Sequence, residues 1–179
     1  MIGAYTFQGC TSLKKITLPE KLTQIDTALF KDSGLESITI PEKVTKILGS
    51  AFLNTNLKTV HIPAKITSIT EQAFGQCDKL QYFTVDSANT AYKESEGMLW
   101  KKADNTLLCY PAGLDPVEEY VITTDMKVAK YAFDGCANIK KLVISEGITE
   151  IGQYAFSGFA GEEVVIPETV TKINSYAIQ

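Results

Sequence analysis

Phenylalanine recurs along this chain at a nearly constant interval, and that interval constrains the fold more than any other feature. Phe7, Phe30, Phe52, Phe74, Phe133 and Phe156, with Ile178 in the next place, are separated by 23, 22, 22, 59, 23 and 22 residues. A unit this short cannot bury an apolar face by itself. Repeated units bury it by stacking, so the spacing predicts a solenoid in which each turn of chain touches only its neighbours.

Each unit contains an apolar–outward–apolar triplet: Ile16-Thr17-Leu18, Ile38-Thr39-Ile40, Val60-His61-Ile62, Phe83-Thr84-Val85, Tyr120-Val121-Ile122, Leu142-Val143-Ile144 and Val164-Val165-Ile166. Alternation with period two sends the outer pair inward and the middle residue outward, as in a short β-strand. Pro19, Pro41, Pro63 and Pro167 follow four of the triplets, and a residue without an amide hydrogen ends the ladder there. Next comes an aliphatic pair three apart, such as Val44 and Ile47 or Ile66 and Ile69. A turn read as helical follows, carrying Ala51-Phe52, Ala73-Phe74, Ala132-Phe133 or Ala155-Phe156. Burial of each Phe is expected to contribute roughly 1.5 to 3 kcal/mol. Strand plus helical turn gives an expected α/β class.

The long step of 59 residues contains an interruption. Between Val85 and Tyr120 two apolar, aromatic runs, ending at Trp100 and beginning at Leu107, flank a polar turn at Ala103 to Thr106, the pattern of a β-hairpin. The expectation is a hairpin insert at about 86–119, with Leu99, Trp100, Leu107 and Leu108 packed where the missing Phe would stand.

The motifs, taken together, resemble the BspA-type leucine-rich repeats of secreted and surface proteins. The unit of that family is met almost entire at Leu35 to Phe52, Leu57 to Phe74 and Ile139 to Phe156, and Gly97 to Trp100 with Tyr110 to Gly113 look like the insert such proteins carry. Departures occur at Thr6-Phe7, Leu29-Phe30 and Gly161, and in a shortened segment from Ile122 to Val128. The resemblance implies a right-handed leucine-rich-repeat solenoid of 22–23-residue units over residues 1–179, with about seven short parallel strands. It also implies an extracellular or cell-surface location and a role in adhesion or protein binding, and it supplies no catalytic residue. The chain starts and stops in mid-repeat, which reads as a segment of a longer protein with rung edges open to end-to-end self-association.

Composition narrows the function further. The formal charge is −4, with 17 basic and 21 acidic residues interspersed, which gives no electrostatic case for nucleic acid. No apolar run reaches the length of a membrane helix, so any membrane association is expected to be peripheral. His61, the sole histidine, is an outward triplet residue without a second histidine, an orienting group or a nucleophile beside it in sequence. Cys10, Cys77 and Cys136 share one repeat position and Cys109 falls in the insert; their spacing matches no zinc or redox motif, and buried free thiols are expected. The pairs Glu118-Glu119 and Glu162-Glu163 precede strands and read as a solvated rim. No cofactor and no enzymatic activity are expected.

What remains is the row of outward residues: Thr17, Thr39, His61, Thr84, Val121, Val143 and Val165, with Tyr82 beside them. Threonine and valine are good strand formers in any case. The same row forms one continuous face of a solenoid and is the expected binding surface for a protein or glycan. A spacer that only displays another domain is the alternative, and an accessory part of a carbohydrate-active enzyme or peptidase a weaker one.

Overall fold

The computed structural model describes all of residues 1–179. The strands in chain order are β1 (Lys15–Ile16), β2 (Gln24–Ile25), β3 (Ser37–Ile38), β4 (Lys46–Ile47), β5 (Thr59–Ile62), β6 (Ser68–Ile69), β7 (Tyr82–Val85), β8 (Tyr92–Ser95), β9 (Met98–Lys101), β10 (Thr106–Cys109), β11 (Val117–Ile122), β12 (Lys127–Val128), β13 (Ile139–Ile144), β14 (Glu150–Ile151), β15 (Glu163–Val165) and β16 (Lys172–Ile173). Seven of them carry the triplets and form the front of the coil: β1 beside β3, β5 beside β7, and β11, β13 and β15 in a row, all parallel. The aliphatic pairs form a second wall, with β2, β4 and β6 in one parallel ladder and β14 and β16 in another. Registers pair like with like, Ile25 with Ile47 and Ile47 with Ile69, because a unit of constant length returns each residue beside its counterpart. The result is a β-solenoid of about seven turns of parallel strands.

The third wall holds the Ala-Phe turns, and here the expected α/β class fails: no α-helix forms. Residues two before and two after the Phe take positive φ, as at Ala28 (51°) and Asp32 (58°), Ser50 (56°) and Asn54 (55°), Tyr131 (61°) and Gly135 (84°). A left-handed residue on either side limits any right-handed run to a single turn. Hydrogen bonds alternate accordingly. Leu29, Lys31 and Ser33 donate three residues back along the chain, whereas Ala28, Phe30 and Asp32 donate across to Gly49, Ala51 and Leu53 of the next unit. The turns thereby become rungs themselves. Phe7, Phe30, Phe52 and Phe74 stack with ring centroids 5.3–5.5 Å apart and planes within 10°.

Between β7 and β11 the chain leaves the coil. Strand β9 runs antiparallel to both β8 and β10, and β10 then runs parallel to β12. Leu99 faces the core of the first four units, while Met98 and Trp100 face that of the last three. Strand β9 is thus a septum with both faces buried, as alternation on a strand requires when apolar residues fill consecutive places. The expected filling of the missing Phe place by Leu99, Trp100, Leu107 and Leu108 is corrected. Cys109-Tyr110 takes the Ala-Phe position: Tyr110 N donates to Ala132 O at 2.8 Å and its ring lies 5.6 Å from Phe133.

The septum is tied back by buried polar groups that carry no repeat signature. Asn89 donates to the carbonyls of Pro63 (2.8 Å) and Ile66 (3.0 Å) and accepts from the amides of Ala91 and Tyr92 (2.9 and 2.8 Å). The Tyr92 hydroxyl accepts the Ile69 amide at 2.7 Å, standing in for a carbonyl of the rung that is not there. Asp134 accepts from the amides of Gln72 (2.9 Å) and Gln76 (3.2 Å), joining the fourth Phe turn to the turn of Phe133.

All four cysteines are free. Cys77 and Cys136 are buried as expected, and Cys109 with them, but Cys10 is exposed. Its repeat position is covered by the preceding unit, as Cys77 is by Thr55 at 3.3 Å, and within these 179 residues nothing covers Cys10. Burial raises the thiol pKa of Cys77, Cys109 and Cys136, so all three are held in the neutral form.

Candidate functional site

In the first six triplets the front face presents the middle residue to solvent more than its neighbours, which are drawn toward the core; in the last, Ile166, expected to point inward, is exposed because no further unit packs over it. Thr17, Thr39, His61, Tyr82, Thr84 and Val121 are exposed, and Val143 and Val165 are half-buried. Tyr82 keeps 45% and Val121 41% of its surface accessible, large values for apolar residues on a strand. Register sets the neighbours. His61 stands opposite Thr84, with His61 Nδ1 and Thr84 Oγ1 2.9 Å apart, and Val121, Val143 and Val165 stand side by side.

The eight residues do not form one unbroken row. The turn between β8 and β9 meets β7, where Phe83 N donates to Gly97 O at 2.9 Å, so the insert, and not β11, lies along the free side of β7. The expected continuous face is corrected to two panels. One is polar and carries Thr17, Thr39, His61, Thr84 and Tyr82; the other is apolar and carries the three valines. Tyr120, close to Val121 in sequence, turns inward. Its ring packs edge-on against Tyr110 and Phe133, its hydroxyl donates to Met98 Sδ at 3.4 Å, and burial pushes its pKa up to about 12.

On the polar panel Thr17 and Thr39 line an open groove of about 550 Å³ with Lys15, Glu20, Ser37 and Pro41. A volume of this size suits a short stretch of polymer or a few sugar rings. The panel edges carry charge ladders. Glu36 lies between Lys14 (3.2 Å) and Lys58 (3.8 Å), and Glu118 and Glu119 face Lys140 (2.9 Å) and Lys141 (3.2 Å). The Glu118 hydrogen bond raises the Lys140 pKa. The acidic pair is thus matched to the basic pair one unit on. Such exposed pairs add little stability, and they pattern the rim with alternating sign.

Reading the triplets overlooked one further row. Tyr131, Tyr154 and Tyr176, each two before the Phe position, stack at 4.9 and 5.3 Å along the outside of the third wall, with Lys130 Nζ 5.9 Å from the Tyr154 ring centroid. Their common repeat position was visible in the sequence. Their outward direction depends on the left-handed backbone there, which the sequence does not announce.

Comparison with known proteins agrees with this architecture. The BspA type leucine-rich repeat region matches residues 1–95 and 118–179 in six copies, leaving out the segment that holds β9 and β10. The fold is similar to that of a leucine-rich cell surface protein from Faecalibacterium prausnitzii A2-165 (TM-score 0.80, 26% identity, 98% of this chain and 53% of that one). It is also similar to a leucine-rich repeat protein from Eubacterium ventriosum (0.78, 27%, 96% and 53%) and to the pneumococcal vaccine antigen PcpA (0.74, 28%, 88% and 40%). The chain spans about half the length of these solved structures or less. No curated protein matches it. These relatives are leucine-rich repeat proteins, not members of enzyme families, and no helix of this chain is long and apolar enough to cross a membrane.

Proposed function

Because the chain belongs to the BspA-type leucine-rich repeat family, we propose that it is a non-enzymatic binding or adhesion module on the outside of the cell. It engages a protein or a glycan with the front face of its coil. The observation that carries this reading is that the side chains of the polar panel stand in solvent and fill no part of the core. Thr17, Thr39, Tyr82 and Thr84 are exposed on strands already held by their inward neighbours, and two of them line a groove of about 550 Å³. A rigid backbone ladder bearing short threonine side chains loses little conformational entropy on binding. The cell-surface description of the Faecalibacterium protein supports the location.

The test is a titration of the 179-residue protein against immobilised extracellular-matrix proteins and a glycan array, with Thr39→Arg and Tyr82→Ala alongside. Saturable binding reduced at least tenfold by either substitution is the expected result. Binding untouched by both would place the contact elsewhere. No binding to any ligand would favour a spacer that displays another domain.

A further inference from the structure

The second wall is discontinuous at one place that nothing fills. Along the rest of that wall, backbone bonds cross from unit to unit: Leu48 N to Ile25 O and Thr70 N to Ile47 O, both at 2.9 Å, then Ala129 N to Leu107 O at 2.9 Å and Asn174 N to Ile151 O at 3.1 Å. Between β6 and the insert the ladder also stops, but there the Tyr92 hydroxyl caps the Ile69 amide. Between β12 and β14 no backbone bond crosses, and no Cα of one strand lies within 8 Å of a Cα of the other. Paired strands lie about 4.8 Å apart, and strands flanking a third about 9.6 Å. Strands β12 and β14 stand too far apart to pair with each other.

Sequence explains the gap. The step from the end of the triplet to the Phe is twelve positions at Ile40–Phe52, Ile62–Phe74 and Ile144–Phe156, but eleven at Ile122–Phe133. The front keeps its ladder, with Ser145 N donating to Ile122 O, and the Phe wall stays joined through Tyr131 N to Tyr154 O and Gly135 N to Gly158 O, each one place off the register of the other units and without a bond from Phe133 N. The missing residue is thus absorbed chiefly in the second wall, where β12 is drawn away from β14. The opening is a cavity of about 520 Å³ floored by Ile122, Val128, Ile144, Ile151 and Phe156.

Both banks are strand edges. In a parallel ladder successive residues point to alternate neighbours. Lys127 and Ala129 turn their amides to β10, which leaves the N–H and C=O of Val128 facing the gap. Thr149 and Ile151 turn their carbonyls to β16, which leaves those of Glu150 facing it from the other side. The charged residues lining the opening are Lys127, paired with Asp104, and Glu150, paired with Lys172. Asp125 and Glu146 stand next in sequence to the lining residues Thr124, Met126 and Gly147, and neither has a cationic partner.

We propose that the gap between β12 and β14 binds an extended peptide of another protein, which adds a strand to the second wall. Its backbone pairs with Val128 and Glu150, its apolar side chains enter the cavity, and its lysine or arginine residues meet Asp125 and Glu146. This mode supplies main-chain hydrogen bonds for affinity and side-chain pockets for selectivity. The site lies on a different wall from the front face and stands or falls separately from it.

The probe is the dye-labelled peptide acetyl-Lys-Val-Thr-Val-Thr-Val-Lys-amide, titrated with the 179-residue protein by fluorescence anisotropy. Saturable binding is expected, weakened about tenfold or more when alternate peptide amides are N-methylated and weakened when glutamate replaces the two lysines. In the protein, Asp125→Asn with Glu146→Gln should reduce affinity for the basic peptide. One alanine inserted between Thr124 and Asp125 restores the twelve-residue interval; it should close the gap, abolish binding and raise Tm. The rise in Tm shows that this variant folds. Equal affinity for the N-methylated peptide, or a folded insertion variant that still binds, overturns strand addition. So does absence of binding at millimolar protein. A dimer of the unmodified protein that the insertion dissolves would show that a second copy fills the gap, and would overturn it too.

Discussion

Asn89→Ala tests whether the insert is held to the coil by buried polar bonds as well as by its apolar septum. Asn89 is 1% exposed and makes four hydrogen bonds, two from its amide to Pro63 and Ile66 and two to its carbonyl from Ala91 and Tyr92. A buried bond contributes about 1 kcal/mol net, and a partner left unpaired costs about 1 to 3 kcal/mol. Four bonds lost together would cost about 4 kcal/mol, and water entering the vacated volume would bring this to about 3 kcal/mol. Because a domain's whole stability is about 5 to 15 kcal/mol, the change should be plain in urea denaturation. Hydrogen exchange would localise it: the amides of Ala91 and Tyr92 should lose protection, while Phe30, two units away, should not. Asn89→Asp keeps the acceptor bonds but sets a carboxylate against two carbonyls, so at pH 7 it should be at least as damaging. A loss below about 1 kcal/mol for Asn89→Ala, or protection unchanged at Ala91 and Tyr92, would refute the reasoning.

Phe52→Ala removes a ring stacked on both sides, by Phe30 at 5.5 Å and Phe74 at 5.3 Å; it should cost about 3 to 5 kcal/mol, against well under about 1 for exposed Thr39→Ala, by chemical denaturation. A thiol reagent should modify one cysteine, Cys10, quickly and the other three only on unfolding, as mass spectrometry of the native protein would show. Burial raises the pKa of Tyr110 and Tyr120 to about 12; the folded state therefore holds protons that the unfolded chain releases near pH 10, so stability is intact below about pH 10 and falls as pH rises from there toward 12, measured as Tm against pH. The outer edges of β1 and β15 are unpaired and Ile173 and Tyr176 are 53% and 56% exposed, so sedimentation velocity should show association that grows with concentration.

The repeat length and the inward and outward places of six of the seven triplets were open to reading before a coordinate was known. They follow from local physics: period-two alternation, proline as a ladder stop and the regular return of Phe. The candidate front-face residues came out of the same alternation, and all eight are exposed or half-buried. Tertiary structure alone decided the rest. Whether the Ala-Phe segment became a helix turned on left-handed residues at Ala28 and Asp32, a conformation made tolerable by cross-unit bonds to Gly49 and Leu53. The septum character of β9 required two cores to meet on either side of it. Asn89, Tyr92 and Asp134 owe their roles to partners 23 to 62 residues away, a separation at which no local pattern carries information. The gap between β12 and β14 lies between these extremes. The lost residue is written in the sequence, but which wall gives way depends on the front and Phe walls keeping their bonds, and that is settled only by the balance of packing around the whole coil.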